Sequence, residues 1–404
     1  MSVSLPSFAT AAAAPAPEAA AASPSRPLAA RLHTSLESVA PIWRQLQSDG
    51  VLTAYQRLEW VELMVAHLLA RRNVQPLFVE IVDTAGGATL MILPFALERH
   101  RTHSELRWLA LDVCDYAAPV IAAGARIGAP EMALAWQAAL RCLPRADLVQ
   151  ISQIRPAIGA TPNPLALLPG ARRMELQSFG TAIDGDPGTL LKRICAASTL
   201  KALNRRWRSV TQSGTPRFVV ASSEAEVESI FAAMIEQRRE RFREMGRADL
   251  LDRPEVEEFY RAAALKGLGG GAARLFGISF DGVWIATSMG LVHDGAFLGN
   301  LLSMSSAWTA ASPGIKMMSE IMVWAREQRL TYFDLTVGAL AYKAGLGGQP
   351  QDLLQIAGSL SLRGAAILRA RALAVSAKAW LQRHPGLFEP LRNVRRALRR
   401  TLGK

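Results

Sequence analysis

The stretch AARLFGISFDGVWIATSMGLVHDGAFLGNLLSM, Ala272–Met304, decides the fold. Three apolar runs follow one another with only Asp281-Gly282 and Asp294-Gly295 between them. Asp-Gly accepts the positive φ that a two-residue hairpin turn demands. The stretch therefore predicts an antiparallel three-strand meander.

Outward toward the C-terminus, SPGIKMMSEIMVWARE, Ser312–Glu327, opens a helix. Ser312 reads as its N-cap, and Pro313 takes the first helical position, where a missing N–H is no loss. Gly314 leaves the first backbone N–H groups unshielded. Lys316 adds positive charge to an end that is already positive through the helix dipole. An open, basic helix start suits a bound anion, and an ordinary Ser-Pro helix start is the competing reading. Met317, Met318, Ile321, Met322 and Ala325 recur at helical spacing and read as core contacts. LTYFDLTVG (330–338) is then a buried strand, and ALAYKAGLGG (339–348) a short turn or helix.

Outward toward the N-terminus, two helices (224–246 and 252–268) and a strand (217–223) precede the meander. GTLLKRICAASTLKALNRRWRSVTQSG (188–214) begins this second region, with Lys201, Arg205, Arg206 and Arg208 and no acid. The earlier region, about Leu36 to Phe179, reads as helix, hairpin across DTAGG, a third run (ELRWLALDVCDYAAPVIAAG), helix and strand. The two regions share an order of elements and no clear residue-level repeat.

Composition bounds the rest. The chain has 404 residues, half of them apolar, and a net charge of +12. Residues 361–404 hold eleven Lys or Arg against one acid, Glu389, so ten of the twelve net charges lie in the tail. There Leu391, Val394, Leu398 and Leu402 line one side of a basic helix, a pattern suited to an anionic membrane surface. Aromatic interleaving is missing, which argues against nucleic acid. Three scattered cysteines, Cys114, Cys142 and Cys195, argue against disulfides or a zinc cluster. Prolines interrupt the alanines of the first thirty residues, which read as a disordered leader and not a secretory signal. With no span long enough to cross a bilayer, the expected location is cytoplasmic, with peripheral membrane contact through the tail.

The order of elements, together with DYAAPVI, LNRRWRSV, EQRRERF, SPG, FDLTVG and YKAGLG in register, resembles the GNAT acyltransferases. Within them the chain is similar to the CelD-like branch associated with cellulose biosynthesis, and more distantly to the tandem Fem aminoacyl transferases. The resemblance covers about Trp43 to Leu354. It implies an α/β (α+β) fold: two tandem GNAT-like domains with mixed, largely antiparallel sheets flanked by helices, plus a C-terminal basic helical tail. The expected boundaries are a leader at 1–30, an acceptor-shaping domain at 31–187, the acyltransferase domain at 188–359 and the tail at 360–404.

The resemblance implies an acyl-CoA donor, with acetyl-CoA the expected form, and no metal. The acceptor is an amine or hydroxyl on a small molecule or glycan. The donor pyrophosphate belongs at Ser312, Gly314 and Lys316, with Lys343 a surface charge or phosphate contact. The loop departs from the usual Gln/Arg-x-x-Gly-x-Gly/Ala pattern and holds only Ser-Pro-Gly. Tyr342 follows the last core strand, where a phenol can protonate a departing thiolate because both have pKa values of roughly 8.5–10. Packing at a turn is its alternative. Asp334 is either a base or the structural partner of an arginine such as Arg206 or Arg238. Asp115 and Tyr116 line the acceptor cleft or pack at a domain boundary, and Arg206 meets an acidic substrate or solvent. Asn300 and Ser303 face opposite sides of a strand, so one at most lines the cleft. Beside the enzyme reading stand two others: a degenerate, non-catalytic partner of membrane glycan machinery, and an aminoacyl-tRNA-dependent transferase.

Overall fold

The computed structural model describes residues 27–69 and 73–383. The tail leucines from Leu391 onward and most of the leader lie outside the described residues. The first half runs β1 (Leu28–His33), α1 (Leu36–Asp49), α2 (Leu58–Leu68), β2 (Val74–Asp83), β3 (Thr89–Arg99), β4 (Ser104–Trp108), β5 (Val120–Ile121), α3 (Ala129–Cys142) and β6 (Leu148–Ile154). A small ribbon, β7 (Ala157–Ile158) and β8 (Thr161–Pro162), leads to β9 (Ala171–Ala182). The second half runs α4 (Pro187–Ile194), α5 (Ala197–Ser213), β10 (Pro216–Val220), α6 (Glu224–Glu244), α7 (Pro254–Leu268), β11 (Ala273–Phe280), β12 (Val283–His293) and β13 (Ala296–Met304). It ends with α8 (Pro313–Glu327), β14 (Tyr332–Val337), α9 (Ala341–Gly345), β15 (Gln349–Ser359) and α10 (Leu362–Arg383).

The meander forms as its turns predict. Asp281 and Gly282 have φ of 46° and 84°, and Asp294 and Gly295 have 45° and 70°. Both pairs therefore sit in the left-handed region that a primed two-residue turn requires. β12, in the middle, is buried from Ile285 to Leu291, and its two polar residues there, Thr287 and Ser288, are satisfied by Gln237 and the Leu301 carbonyl.

The mixed α/β architecture is present, yet the two halves do not make two separate sheets. One continuous sheet runs β1-β2-β3-β4-β6-β15-β9-β14-β13-β12-β11-β10, with β5 paired on β3. Near its centre the halves exchange their last strands: β15 lies against β6 of the first half, and β9 against β14 of the second. β9 and β15 pair with each other. The cores merge as well. Trp60 on α2 meets Phe259 on α7 edge to face, with ring centroids 4.8 Å apart, a favoured aromatic geometry.

Each half contains one parallel joint. β4 and β6 pair over Glu105–Arg107, and β13 and β14 over Ala296–Leu298, three residue pairs in each case. Parallel neighbours need a crossover, supplied by α3 and α8. Past these short joints the strands part, and each half acquires a V-shaped opening. Two further differences from expectation stand out. β1 lies partly inside the presumed leader. The third run is not one strand: Leu111 and Asp112 take φ of 48° and 67° and turn the chain after β4.

Candidate active site

A cavity of about 490 Å3 occupies the opening beyond the β13–β14 joint. Leu302 and Met304 of β13 form one wall, and Gly314 and Ile315 at the start of α8 another. Leu340, Ala341 and Tyr342 close it from α9, and Arg238, Arg241, Phe242 and Met245 from α6. β13 bulges at Asn300, which interrupts its alternation, and the Asn300 amide donates to the Tyr55 hydroxyl at 3.5 Å. The Ser303 hydroxyl donates to the Met234 carbonyl at 3.5 Å. Neither of the two candidates on β13 lines this cavity.

The start of α8 differs from expectation in one respect. Ser312 occupies the cap position, but its side chain caps nothing. Its backbone is left-handed, φ 55° and ψ 52°, a conformation that costs a non-glycine residue roughly 1–2 kcal/mol. Its hydroxyl instead accepts from Arg206 Nη1 at 2.7 Å. Next to Arg206, Trp207 Nε1 donates to the Ala311 carbonyl at 2.9 Å. α5 thus holds the strained turn, and the α8 amides are left without a side-chain cap. Lys316 pairs with Glu320 and lies 5.6 Å from the Trp207 ring, toward α5, and is not part of the cavity wall. A Cβ built on Gly314 would stand 3.4 Å from Met304 Sδ and 3.6 Å from Leu302 Cδ2. The helix start therefore opens directly onto the apolar wall.

Tyr342 is half-buried in that cavity, and its hydroxyl makes no protein hydrogen bond among the described residues. Burial raises its pKa, and the Arg241 charge works against that rise. A phenol so placed stays protonated at neutral pH and remains free to donate.

Asp334 and Lys343 behave differently from the expectation. β14 bulges at Leu335 and Thr336, with Thr336 at φ 57°. A bulge frees backbone groups from the ladder, and these must find partners in a buried setting. Asp334 Oδ1 accepts the Thr336 amide at 2.7 Å, and Lys343 Nζ donates to the Thr336 and Val337 carbonyls at 3.1 and 2.6 Å. Lys343 is 2 % exposed, so it is neither a surface charge nor a phosphate contact. Burial lowers its pKa to about 8, against the pull of Asp115 and Asp334.

The arginine beside Asp334 is neither Arg206 nor Arg238. Arg238 forms a two-toothed pair with Asp249 at 2.6 and 2.5 Å. Arg155, at the end of β6, donates Nη1 to Asp334 Oδ2 at 2.8 Å and Nη2 to Gln351 at 2.8 Å. Tyr116 donates to Asp334 Oδ1 at 2.9 Å, under the Arg155 guanidinium. Burial pushes the Asp334 pKa up, and Arg155, the Thr336 amide and the Tyr116 hydroxyl oppose it. With both oxygens engaged, Asp334 positions the bulge and is not available as a base. Asp115 sits beside this network, accepting from the Tyr55 hydroxyl at 3.0 Å. Burial raises its pKa to about 6.

The structure therefore sorts the candidates into two groups. Ser312, Gly314, Arg206 and Tyr342 surround the start of α8 and its cavity. Asp115, Tyr116, Asp334 and Lys343 form a buried seam between the halves, joined by Arg155 and Tyr55, which the sequence reading did not single out. Elsewhere Glu98, His100 and Glu105 bring ligand atoms within 4.8 Å of one another. Arg107 and Arg371 already pair with Glu98 and Glu105.

Residues 197–344 match the family described as an acetyltransferase (GNAT) domain. The segment runs from the start of α5 into α9 and contains the cavity, the α8 start and Tyr342. The crystal structure of FemX superposes with a TM-score of 0.53 at 11 % identity, covering 80 % of this chain and 96 % of that one. A conserved protein of unknown function from Bacteroides thetaiotaomicron VPI-5482 gives 0.51 at 11 %, covering 82 % and 99 %. At these identities the likeness is one of fold. No curated protein sequence matches. Residues 197–344 thus resemble a GNAT domain, set within a mixed α/β fold like that of FemX.

Proposed function

We propose that the chain is an acyltransferase that moves an acyl group from a CoA-type thioester to an amine or hydroxyl. The supporting observation is that Gly314 at the uncapped α8 start and the free hydroxyl of Tyr342 wall the same cavity. The donor's phosphates meet the α8 amides beside Arg206, and its thioester enters the β13–β14 opening. The acceptor nitrogen or oxygen attacks the carbonyl and loses its proton to solvent. The C–S bond breaks, and the thiolate takes the Tyr342 proton. The first half supports the site from the buried seam, where Tyr116 and Asp115 brace the β14 bulge. The CelD-like resemblance makes a sugar or polysaccharide precursor the acceptor to try first. Tyr342→Phe keeps the ring and removes the proton, so kcat should fall roughly 10²-fold while donor affinity holds. Thiol release from acyl-CoA, with or without acceptor, measures both. Full activity in the Phe variant overturns the assignment.

The same reading gives α10 a role at an anionic membrane surface. Leu362 and Leu373 are 93 % and 70 % exposed. Arg363, Arg369 and Arg371 accompany them, and the helix sequence holds no acid. No helix among the described residues is long and apolar enough to cross a membrane, so contact would be interfacial. Changing Leu362 and Leu373 together to Glu should abolish salt-sensitive sedimentation with anionic vesicles. Unchanged sedimentation would remove this role.

A further inference from the structure

We infer that the donor's acyl chain is longer than acetyl, an unbranched aliphatic chain of about six to ten carbons. The inference rests on the donor site proposed above and specifies its substrate class. An acetyl group occupies space of the order of two water molecules, roughly 60 Å3, whereas the cavity beside Tyr342 is a solvent-open groove of about 490 Å3 that leaves room for a longer chain beside the thioester. Its walls are chiefly apolar: Phe242, Met245, Leu302, Met304, Ile315 and Leu340. Folding leaves two of these uncovered, Met245 at 43 % and Leu340 at 56 % exposure. Apolar surface left wet at the lip of a cavity is stabilised by an apolar occupant. Two methionines in the wall suit a flexible chain, because thioethers adapt their shape to what they touch.

The charged groups agree with this occupant. Arg238 is engaged by Asp249, and Arg241 is exposed at the wall beside Tyr342. No acid lines the cavity. An acyl chain laid along β13 would therefore carry its polar end toward Tyr342, Arg241 and the α8 start, and its methylenes toward Met304 and Met245. Glycine at 314 keeps this path open, since any side chain there projects at Met304 and Leu302.

The test is calorimetric binding to the full chain of two ligand series, saturated acyl-CoAs and free straight-chain fatty acids from C2 to C12, below their micellar concentrations. Each two methylenes that enter the cavity should tighten binding roughly tenfold up to about C8. Met304→Trp fills the cavity and should abolish the gain beyond C4. Met245→Glu on the exposed lip should weaken it without disturbing the core. A chain-length gain in either series that both variants reduce supports the inference. Affinity independent of chain length in both series, or a gain that neither variant alters, overturns it. A gain with fatty acids but none with acyl-CoAs keeps the cavity's preference and removes the CoA donor. CoA binding without any gain does the reverse.

Discussion

α3 and α8 stand at matching points of their halves, each crossing between two parallel strands, and their first turns are built oppositely. α3 begins with Glu131, whose carboxylate accepts the Gly128 amide at 3.0 Å. α8 has no acid in its first turn and no side-chain cap. The α3 start also borders a cavity, of about 470 Å3, lined by Ile127 and Gly128, so the contrast between the halves lies in the first turns and in the gaps between the strands. The first-half opening holds about 110 Å3 among polar residues such as Arg107, Gln150 and Gln153. It is narrowed by the loop after β4, where Ala117 bridges back to Ile154 of β6. The first half thus neutralises its helix start with its own carboxylate and narrows the gap between β4 and β6 with its own loop. That same loop delivers Asp115 and Tyr116 to the second half. The first half braces the β14 bulge through Asp334 and supplies none of the residues that line the α8 cavity.

The likeness beneath this divergence is visible in the bulges. β6 is irregular at Ser152 and Gln153, where Gln153 has φ 58°, and β14 at Leu335 and Thr336, where Thr336 has φ 57°. Both lie just past the parallel joints. In the second half the bulge is tied to the first through Asp334 and Arg155, which gives the largest expected effect. Asp334→Ala would leave Arg155 and Lys343 buried without their carboxylate. Breaking one side of a buried pair costs about 3–5 kcal/mol, and denaturant midpoints should fall accordingly. A loss under about 1 kcal/mol would mean that the seam does not couple the halves.

Asp115 supplies a smaller effect with a defined sign. Its folded pKa, raised to about 6 by burial, exceeds the ordinary value of 3.8. A raised carboxyl favours the folded state below pH 3.8 and loses that contribution as pH climbs through 6. Asp115→Asn keeps an acceptor for Tyr55 and removes the charge. The variant should be more stable than the parent at pH 7, by about 3 kcal/mol, and equal to it near pH 3.5. Parallel melts at the two pH values measure this. A variant less stable at pH 7 would show that the ionised carboxylate is held by more than Tyr55.

Which of these features a reader of the sequence can find depends on distance along the chain. The meander is legible because Asp-Gly turns and apolar runs act within a few residues, and Ser-Pro-Gly marks α8 for the same reason. Tyr342 falls on the cavity because it follows β14 closely. The Arg155–Asp334 pair spans 179 residues, and no local pattern announces it. Arg155 stands at the end of a strand, just before Pro156, where an arginine reads as solvated. Lys343 follows a tyrosine in a short turn and reads as exposed; only the bulge at Thr336 explains its burial. A threonine at positive φ gives no warning, since β-branched residues avoid that region. The exchange of β9 and β15 is equally silent, because strand order is set by packing between halves.

Gly314→Asp would give α8 the acidic start that α3 already has, and it yields the smallest and most diagnostic effect. Gly314 lies within a regular helix, so its backbone asks for no special freedom. The new side chain meets Met304 Sδ and Leu302 Cδ2 at ordinary contact distances, and both are flexible ends. A carboxylate in the first turn complements the helix dipole and is worth roughly 0.3–1 kcal/mol, and leaving glycine adds helix propensity. The folded variant should therefore be as stable as the parent or slightly more so. Donor binding should move the opposite way. A fixed negative charge would occupy the place of the donor's phosphates, and affinity for CoA should fall at least roughly tenfold, about 1.4 kcal/mol. Calorimetry beside a melt reads both quantities. Stability gained with affinity lost means that α8 is kept open for an anion at the expense of its own helix, as α3 is not. Affinity unchanged in a well-folded variant would place the donor somewhere other than this helix start.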